Sequence, residues 1–167
     1  MSFDWLAKAM PPGPPPYRRI LSGILKWTAL SFILNLGWEV MQLPLYTIAS
    51  AQSMAQITYV VAHCTAGDAM IAAISFVIAC LLLRDVDWPL ADPWRGTAIV
   101  TLLGVAYTGY SEWRNVYQAG NWGYSASMPL VFGIGIAPLL QWMIIPVAAV
   151  LILRAQRTPS KIPTPER

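Results

Sequence analysis

Four stretches of the chain are almost entirely apolar, and short polar segments separate them. Each stretch is close to the roughly 20 residues that a helix needs to cross the hydrocarbon core of a membrane. The pattern predicts an all-α integral membrane protein, built as a bundle of four transmembrane helices. The predicted spans are Ile20 to Leu43, Thr65 to Leu83, Gly96 to Tyr117 and Met128 to Leu153.

The segment between the first two spans, residues 44–64, has a weaker pattern. Its apolar side chains recur near helical spacing, which is typical of a helix that lies along a membrane surface. We therefore predict an amphipathic or re-entrant helix on the outer face, before the second span begins. The apolar positions are Ile48, Met54, Ile57, Val61 and Cys64.

The spans divide the chain into one membrane domain, residues 20–154, and two tails. The first tail, residues 1–19, contains "PPGPPP", which predicts a stiff extended spacer after a short interfacial segment. The second tail, residues 155–167, is polar. Composition agrees with a membrane protein, because 56% of the residues are hydrophobic and 11% are charged, whereas soluble domains carry about 25% charged residues.

The basic residues predict an orientation. Ten of the eleven Lys and Arg residues lie in the tails, at the start of the first span, in the link between spans two and three, or at the end of span four; Arg114 is the exception. The positive-inside rule places such segments in the cytoplasm, so both termini are predicted to be cytoplasmic. No basic stripe suited to nucleic acid is present, and the lipid bilayer is the partner that the sequence indicates.

Polar residues interrupt the apolar spans at one common depth. Counted from the basic residue at the predicted cytoplasmic end of the same span, Glu39, Asp68, Glu112 and Gln141 lie thirteen to seventeen residues away, or roughly 20–26 Å along a helix. The hydrocarbon core is about 30 Å thick. These counts predict a polar layer in the outer third of the membrane, with an aromatic belt at its rim. The belt residues would be Trp38, Trp113, Trp122, Tyr110 and Tyr124.

Two helix faces carry much of this layer, because their polar residues are spaced i, i+3, i+4 and i+7. On the first span these residues are Asn35, Trp38, Glu39 and Gln42. On the third span they are Thr108, Ser111, Glu112 and Asn115, with Tyr107 in line with Ser111. A carboxylate that faces lipid is costly, so we expect both faces to turn toward other helices or a cavity.

The layer defines a candidate site that opens outward between the helices. The acid–base candidates are Glu39, Glu112, Asp68 and His63. The candidate binding residues are Asn35, Trp38, Gln42, Tyr107, Ser111, Asn115 and Gln141. A carboxyl group in apolar surroundings can keep its proton near neutral pH and donate it. The site therefore suits isomerisation, cyclisation or hydration of a lipophilic molecule such as an isoprenoid, a sterol or a quinone.

Short segments of the chain resemble known membrane proteins. "NLGWE", from Asn35 to Glu39, resembles the Asn-x-x-Trp-Glu segment of integral-membrane terpene cyclases. That resemblance implies that Glu39 protonates the substrate. The blocks "WEVMQLPLY", "HCTAGD" and "YTGYSEWRN" are similar to those of small bacterial inner-membrane proteins of unassigned function. This broader resemblance implies a multi-pass protein of the bacterial inner membrane and implies no activity.

A metal site is a second interpretation of the same polar residues. Glu39, His63, Asp68 and Glu112 form a set of oxygen and nitrogen ligands that suits Zn, Mn or Fe. The E-x-x-H spacing of di-iron helix bundles is absent from the chain. The sequence specifies no cofactor.

A third interpretation is an accessory subunit of a larger membrane complex. The polar layer would then hold helices together. The segment "FGIGIAPLLQW" would provide small residues for close packing, with a bend at Pro138. In the same spirit, "TAGD" has the form of a capping box, with Thr65 as the N-cap and Asp68 three residues on.

Overall fold

The computed structural model describes residues 15–156, and these residues are mostly helical. The all-α prediction is confirmed. The expectations for the two tails fall largely outside the described residues. The four long helices are α1 (Pro16–Gln42), α3 (Met54–Leu83), α5 (Pro93–Trp113) and α6 (Ile136–Ala155). The short elements are a 3-10 turn (Leu43–Leu45), α2 (Ile48–Ala51), α4 (Trp88–Ala91), a π-helical turn (Arg114–Ala119) and the two-residue strands β1 (Leu130–Val131) and β2 (Ile134–Gly135).

Each long helix packs mainly against two others. Helix α1 contacts α3 and α6, and α5 contacts the same two helices from the other side. A tryptophan-rich core joins them, in which the rings of Trp27 and Trp88 lie 5.1 Å apart in an edge-on arrangement. Glycines on α5 make room for two tryptophan rings of this core: Gly96 faces Trp88, and Gly104 faces Trp142. A Cβ atom on Gly104 would lie 2.0 Å from the Trp142 ring, so only glycine fits there.

The two ends of the molecule differ in chemistry. One end, called the basic end, holds Arg18, Arg19, Arg84, Arg95 and Arg154. There Arg19 forms an ion pair with Asp87. The opposite end, called the tyrosine end, is closed by a backbone bridge between Tyr46 and Tyr124. Helices α1 and α5 run from the basic end to the tyrosine end, and α3 and α6 return.

Three helices are long and apolar enough to cross a membrane by length and composition: Tyr17–Leu45, Met54–Leu83 and Ile136–Ala155. The third predicted span does form a helix, α5, which has 21 residues. Helix α5 is not among the three, because the Thr, Gly, Tyr, Ser and Glu residues of its second half lower its mean hydropathy. These findings indicate a membrane protein.

The separate outer helix expected before the second span is not formed. Helix α3 instead begins at Met54 and runs unbroken for 30 residues to Leu83, which is about 45 Å. Ser53 and Gln56 form its capping box. The capping role predicted for "TAGD" is therefore wrong: Thr65 lies in mid-helix and donates to the Val61 carbonyl oxygen at 2.7 Å. Only the single turn of α2 stands apart.

The fourth span also starts later than predicted. Residues 130–135 form a tight hairpin, with Phe132 and Gly133 at positive φ in its turn. Gly133, Ile134 and Gly135 of "FGIGIAPLLQW" therefore lie in this hairpin rather than within a helix. Pro138 sits in the first turn of α6, where a helix needs no bond from its nitrogen. The proline inside the helix is Pro146.

Candidate functional site

A cavity of about 480 Å³ lies toward the tyrosine end, with most of its wall on α3 and α5. Its volume is in the range of small-molecule sites. Seven of the predicted site residues line it: Glu39, His63, Asp68, Tyr107, Ser111, Asn115 and Gln141. The remaining wall includes Tyr59, Val60, Cys64, Gly67, Ile71, Thr108, Asn121, Trp122 and Pro138.

Gln141 connects three helices at the inner end of this cavity. Its side-chain nitrogen, on α6, donates to Asn35 Oδ1 on α1 at 2.7 Å and to Asp68 Oδ2 on α3 at 2.9 Å. Glu39 Oε1 lies 3.3 Å from the same nitrogen. An amide has only two N–H groups, so the two short contacts use both. Gln141 is 2% exposed, and its position is defined by these bonds.

Glu39 has its own donor on α1. Gln42 donates from Nε2 to Glu39 Oε1 at 2.8 Å, and Trp38 donates from its indole nitrogen to Gln42 Oε1 at 3.2 Å. The helical spacing of these residues places them on one face. Asn35, Trp38 and Gln42 thus stand behind the cavity wall and hold Glu39 and Gln141 in place.

Among the described residues, no Lys, Arg or His pairs with the two carboxyl groups at Gln141. Within residues 15–156 the ion pairs are Arg19–Asp87 and Arg95–Asp92, both at the basic end. His63 is exposed and stacks on Tyr59, with 5.9 Å between the ring centroids. Glu39 and Asp68 therefore meet beside a neutral amide at the cavity wall.

Glu112 belongs to a neighbouring cluster rather than to the cavity wall. It is 7% exposed. Its Oε2 accepts from the hydroxyl groups of Tyr124 at 2.7 Å and Tyr46 at 3.3 Å. Burial raises the pKa of both tyrosines, and the adjacent Glu112 carboxyl raises it further. Both hydroxyl groups consequently remain protonated and act as donors.

Asn115 and Ser111 form a network at the mouth of the cavity. Asn115 donates to the Ser111 carbonyl oxygen at 2.8 Å, and Asn121 donates to Asn115 Oδ1 at 2.7 Å. These bonds cross the junction between α5 and the π-helical turn. Ser111 and Asn115 are thereby fixed in orientation and present polar atoms to the cavity.

Three residues of the site have roles that differ from the sequence prediction. Tyr124 was expected in the aromatic belt, but its hydroxyl binds Glu112. Trp122 was also expected there, but it lines the cavity, and its buried Nε1 has no hydrogen-bond partner among the described residues. Tyr46 was not predicted, because it lies beyond the end of α1, in extended backbone after the 3-10 turn, where helical spacing no longer applies.

The four residues proposed as metal ligands do not form a metal site. Within the described range, no three His, Cys, Asp or Glu side chains are grouped so that they could hold an ion. The physical reason is that these side chains contact different partners. Glu112 is bound by two tyrosines, Asp68 by Gln141, and His63 is stacked on Tyr59.

Comparison with known proteins assigns no function to the chain, so the contacts described above are the basis for a proposal. The resemblance of the segment from Asn35 to Glu39 to terpene cyclases stays a prediction, as does the broader resemblance to small bacterial inner-membrane proteins. No family model, curated protein or solved structure matches the chain.

Proposed function

We propose that the protein is a four-helix bundle of the bacterial inner membrane that performs acid–base chemistry on a lipophilic molecule held in the cavity. Three helices have the length and hydropathy of membrane spans. Helix α5 packs against two of them, so its polar face is shielded from lipid. Both termini lie in the cytoplasm, since the basic end gathers almost all cationic residues.

The meeting of Glu39 and Asp68 at the amide of Gln141 carries this proposal. Two negative charges so close together, with no Lys or Arg of residues 15–156 paired with them, repel strongly where protein and lipid limit screening by water. Such a pair is expected to share one proton. One carboxyl group then serves as an acid and the other as a base, which is the arrangement that proton-transfer enzymes use.

The wall of the cavity supports a lipophilic substrate with a small reactive head. Val60, Ile71 and Trp122 supply apolar contact, while Ser111 and Asn115 supply hydrogen-bonding groups. Aromatic rings in the wall could stabilise a positive charge that develops during protonation of a double bond. An isoprenoid, sterol or quinone-like compound has this character.

Infrared difference spectroscopy of the purified protein tests the shared proton without a known substrate. We expect a carbonyl stretching band from a protonated carboxyl group, identified by its shift in D2O. The band should shift or weaken in Glu39→Gln and also in Asp68→Asn, because either change removes one of the two carboxyl groups that share the proton.

Glu112→Gln is the matched control, because Glu112 is a buried acid outside the cavity wall. The band should persist in this variant. If it persists in both Glu39→Gln and Asp68→Asn and is lost in Glu112→Gln, the proton resides on Glu112 and the proposal fails. If the parent protein shows no such band, both carboxyl groups are ionised and a structural role for the polar layer is favoured.

A further inference from the structure

A second cavity, of about 640 Å³, opens at the basic end beside α1. Helix α1 contributes one face to it, because the lining residues recur about every turn. Helix α3, the loop before α4, α4 itself and the end of α6 complete the wall, through Phe76, Val86, Asp87, Pro89, Leu90, Leu153 and Gln156. The lining residues of α1 are Arg18, Arg19, Ser22, Gly23, Lys26, Ala29, Leu30 and Ile33.

The charge of this groove is not balanced by its own residues. Arg18, Arg19 and Lys26 line it, and Asp87 is the one acid among the lining residues. Asp87 is engaged by Arg19. Over residues 15–156, neither Arg18 nor Lys26 lies within salt-bridge distance of a carboxylate. Two cations therefore face the groove without an anionic partner in the part of the chain that the structure describes.

The groove becomes apolar away from its charged mouth. Lys26 and Ile33 are seven residues apart on α1, or roughly 10 Å along the helix axis. Over that distance the wall changes from Arg and Lys side chains to Ala29, Leu30 and Ile33. An occupant that matches both parts has an anionic head and a hydrocarbon tail, with the tail directed toward the centre of the membrane.

We propose that this groove binds an anionic phospholipid of the cytoplasmic leaflet. The phosphate lies between Arg18 and Lys26, and one acyl chain runs along Leu30 and Ile33. Arg19 is held by Asp87 and lines the same mouth. This inference rests on the proposed insertion in the membrane and is independent of the acid–base chemistry at Glu39. Basic pockets between helices at a cytoplasmic surface are suited to such headgroups.

The test compares lipid affinities of the full-length protein in neutral detergent. Phosphatidylglycerol and phosphatidylcholine are titrated separately, and binding is followed by thermal shift. We expect phosphatidylglycerol to bind more tightly. The double substitution Arg18→Gln with Lys26→Gln should weaken its binding by roughly 30-fold, because each cation at a membrane surface contributes about 1 kcal/mol.

Arg154→Gln is the matched control, since it removes one charge at the same end and Arg154 does not line the groove. Its affinity for phosphatidylglycerol should stay within about twofold of the parent. Equal weakening by Arg154→Gln would show attraction to the surface as a whole and overturn the site. Equal binding of phosphatidylcholine, or equal stabilisation by inorganic phosphate alone, would overturn the phospholipid as its occupant. Neither result alters the infrared test of Glu39 and Asp68.

Discussion

At the scale of single residues, the polar layer contains few hydrogen-bond donors for its many acceptors. Gln141 supplies two N–H groups to Asn35 and Asp68, and Gln42 supplies the donor to Glu39. No other side chain in the described range donates to the Asp68 carboxyl group. A substitution at Gln141 therefore affects α1, α3 and α6 together.

Gln141→Met tests this dependence, because Met keeps the volume of the side chain and removes both donors. The Asn35 and Asp68 oxygens lose their partner, and each buried group left unpaired costs about 1–3 kcal/mol. We expect a clear fall in the Tm of the detergent-solubilised protein. Gln118→Met is the control, since Gln118 is exposed on the π-helical turn. An unchanged Tm in Gln141→Met would mean that water or a bound molecule satisfies these groups.

Gly67→Leu tests whether the cavity holds a molecule. Gly67 lines the cavity, and a Cβ atom there would meet nothing within 4 Å. The leucine side chain therefore occupies cavity space without a clash. Lipophilic compounds that co-purify with the parent, measured by mass spectrometry of organic extracts, should be depleted in this variant by about tenfold or more, since the side chain fills the space that they need.

Gly109→Leu is the matched control for the cavity test. Gly109 lies on α5, it also has open space around its Cβ position, and it does not line the cavity. Its extracts should resemble those of the parent. Identical extracts from all three proteins would argue against a cavity ligand and favour the accessory-subunit interpretation.

At the scale of elements, α5 and α6 approach closely because glycine stands where Trp142 packs. The ring of Trp142 lies against the backbone of α5 at Gly104, and Trp142 is almost fully buried. This contact sets the rotation of α6 about its own axis. Gln141 precedes Trp142 in the chain, so the same contact helps to direct Gln141 toward Asn35 and Asp68.

Gly104→Ala measures this close approach. The added methyl group would lie 2.0 Å from the ring, and overpacking of this kind typically costs about 1–3 kcal/mol. Gly109→Ala, on the same helix in open space, should instead be neutral or stabilising by up to about 1 kcal/mol, because alanine favours the helix. Thermal unfolding of the two variants in one detergent gives the comparison. Equal Tm values would show that α6 can shift at little cost.

At the scale of the whole molecule, the charge pattern and the helix directions agree on one orientation. The long helices alternate between the basic end and the tyrosine end, and the segments at the tyrosine end carry a single basic residue, Arg114. The proposed topology follows from this asymmetry. The two native cysteines, Cys64 and Cys80, are free thiols.

Cysteine labelling tests the topology in intact cells. In a background with Cys64→Ala and Cys80→Ala, Ser53→Cys and Ala126→Cys should react with an impermeant thiol reagent added outside. Ser160→Cys should react only after the membrane is opened. The opposite pattern would invert the orientation, and labelling of Ser53→Cys without Ala126→Cys would exclude α5 and α6 as a pair of spans.

The sequence by itself determined the helical class, the polar faces and the asymmetry of charge. Each of these follows from local spacing or composition, as in the polar face from Asn35 to Gln42. Local spacing does not depend on how the helices are arranged. The start of α3 was predicted too late. Residues 54–64 and the second span share the helical period, so the pattern does not show where one helix would end and another begin. The capping box that forms is at Ser53 and not at "TAGD".

Tertiary structure decided which polar residues meet. Periodicity states which face of a helix is polar, but the rotation and height of one helix against another depend on contacts between residues far apart in the chain. Trp142 against Gly104 is such a contact. The pairing of Tyr46 with Tyr124 is another. Glu112 binds the tyrosine hydroxyl groups there, while Gln141 lies between Glu39 and Asp68. Only packing across the bundle could separate the three acids in this way.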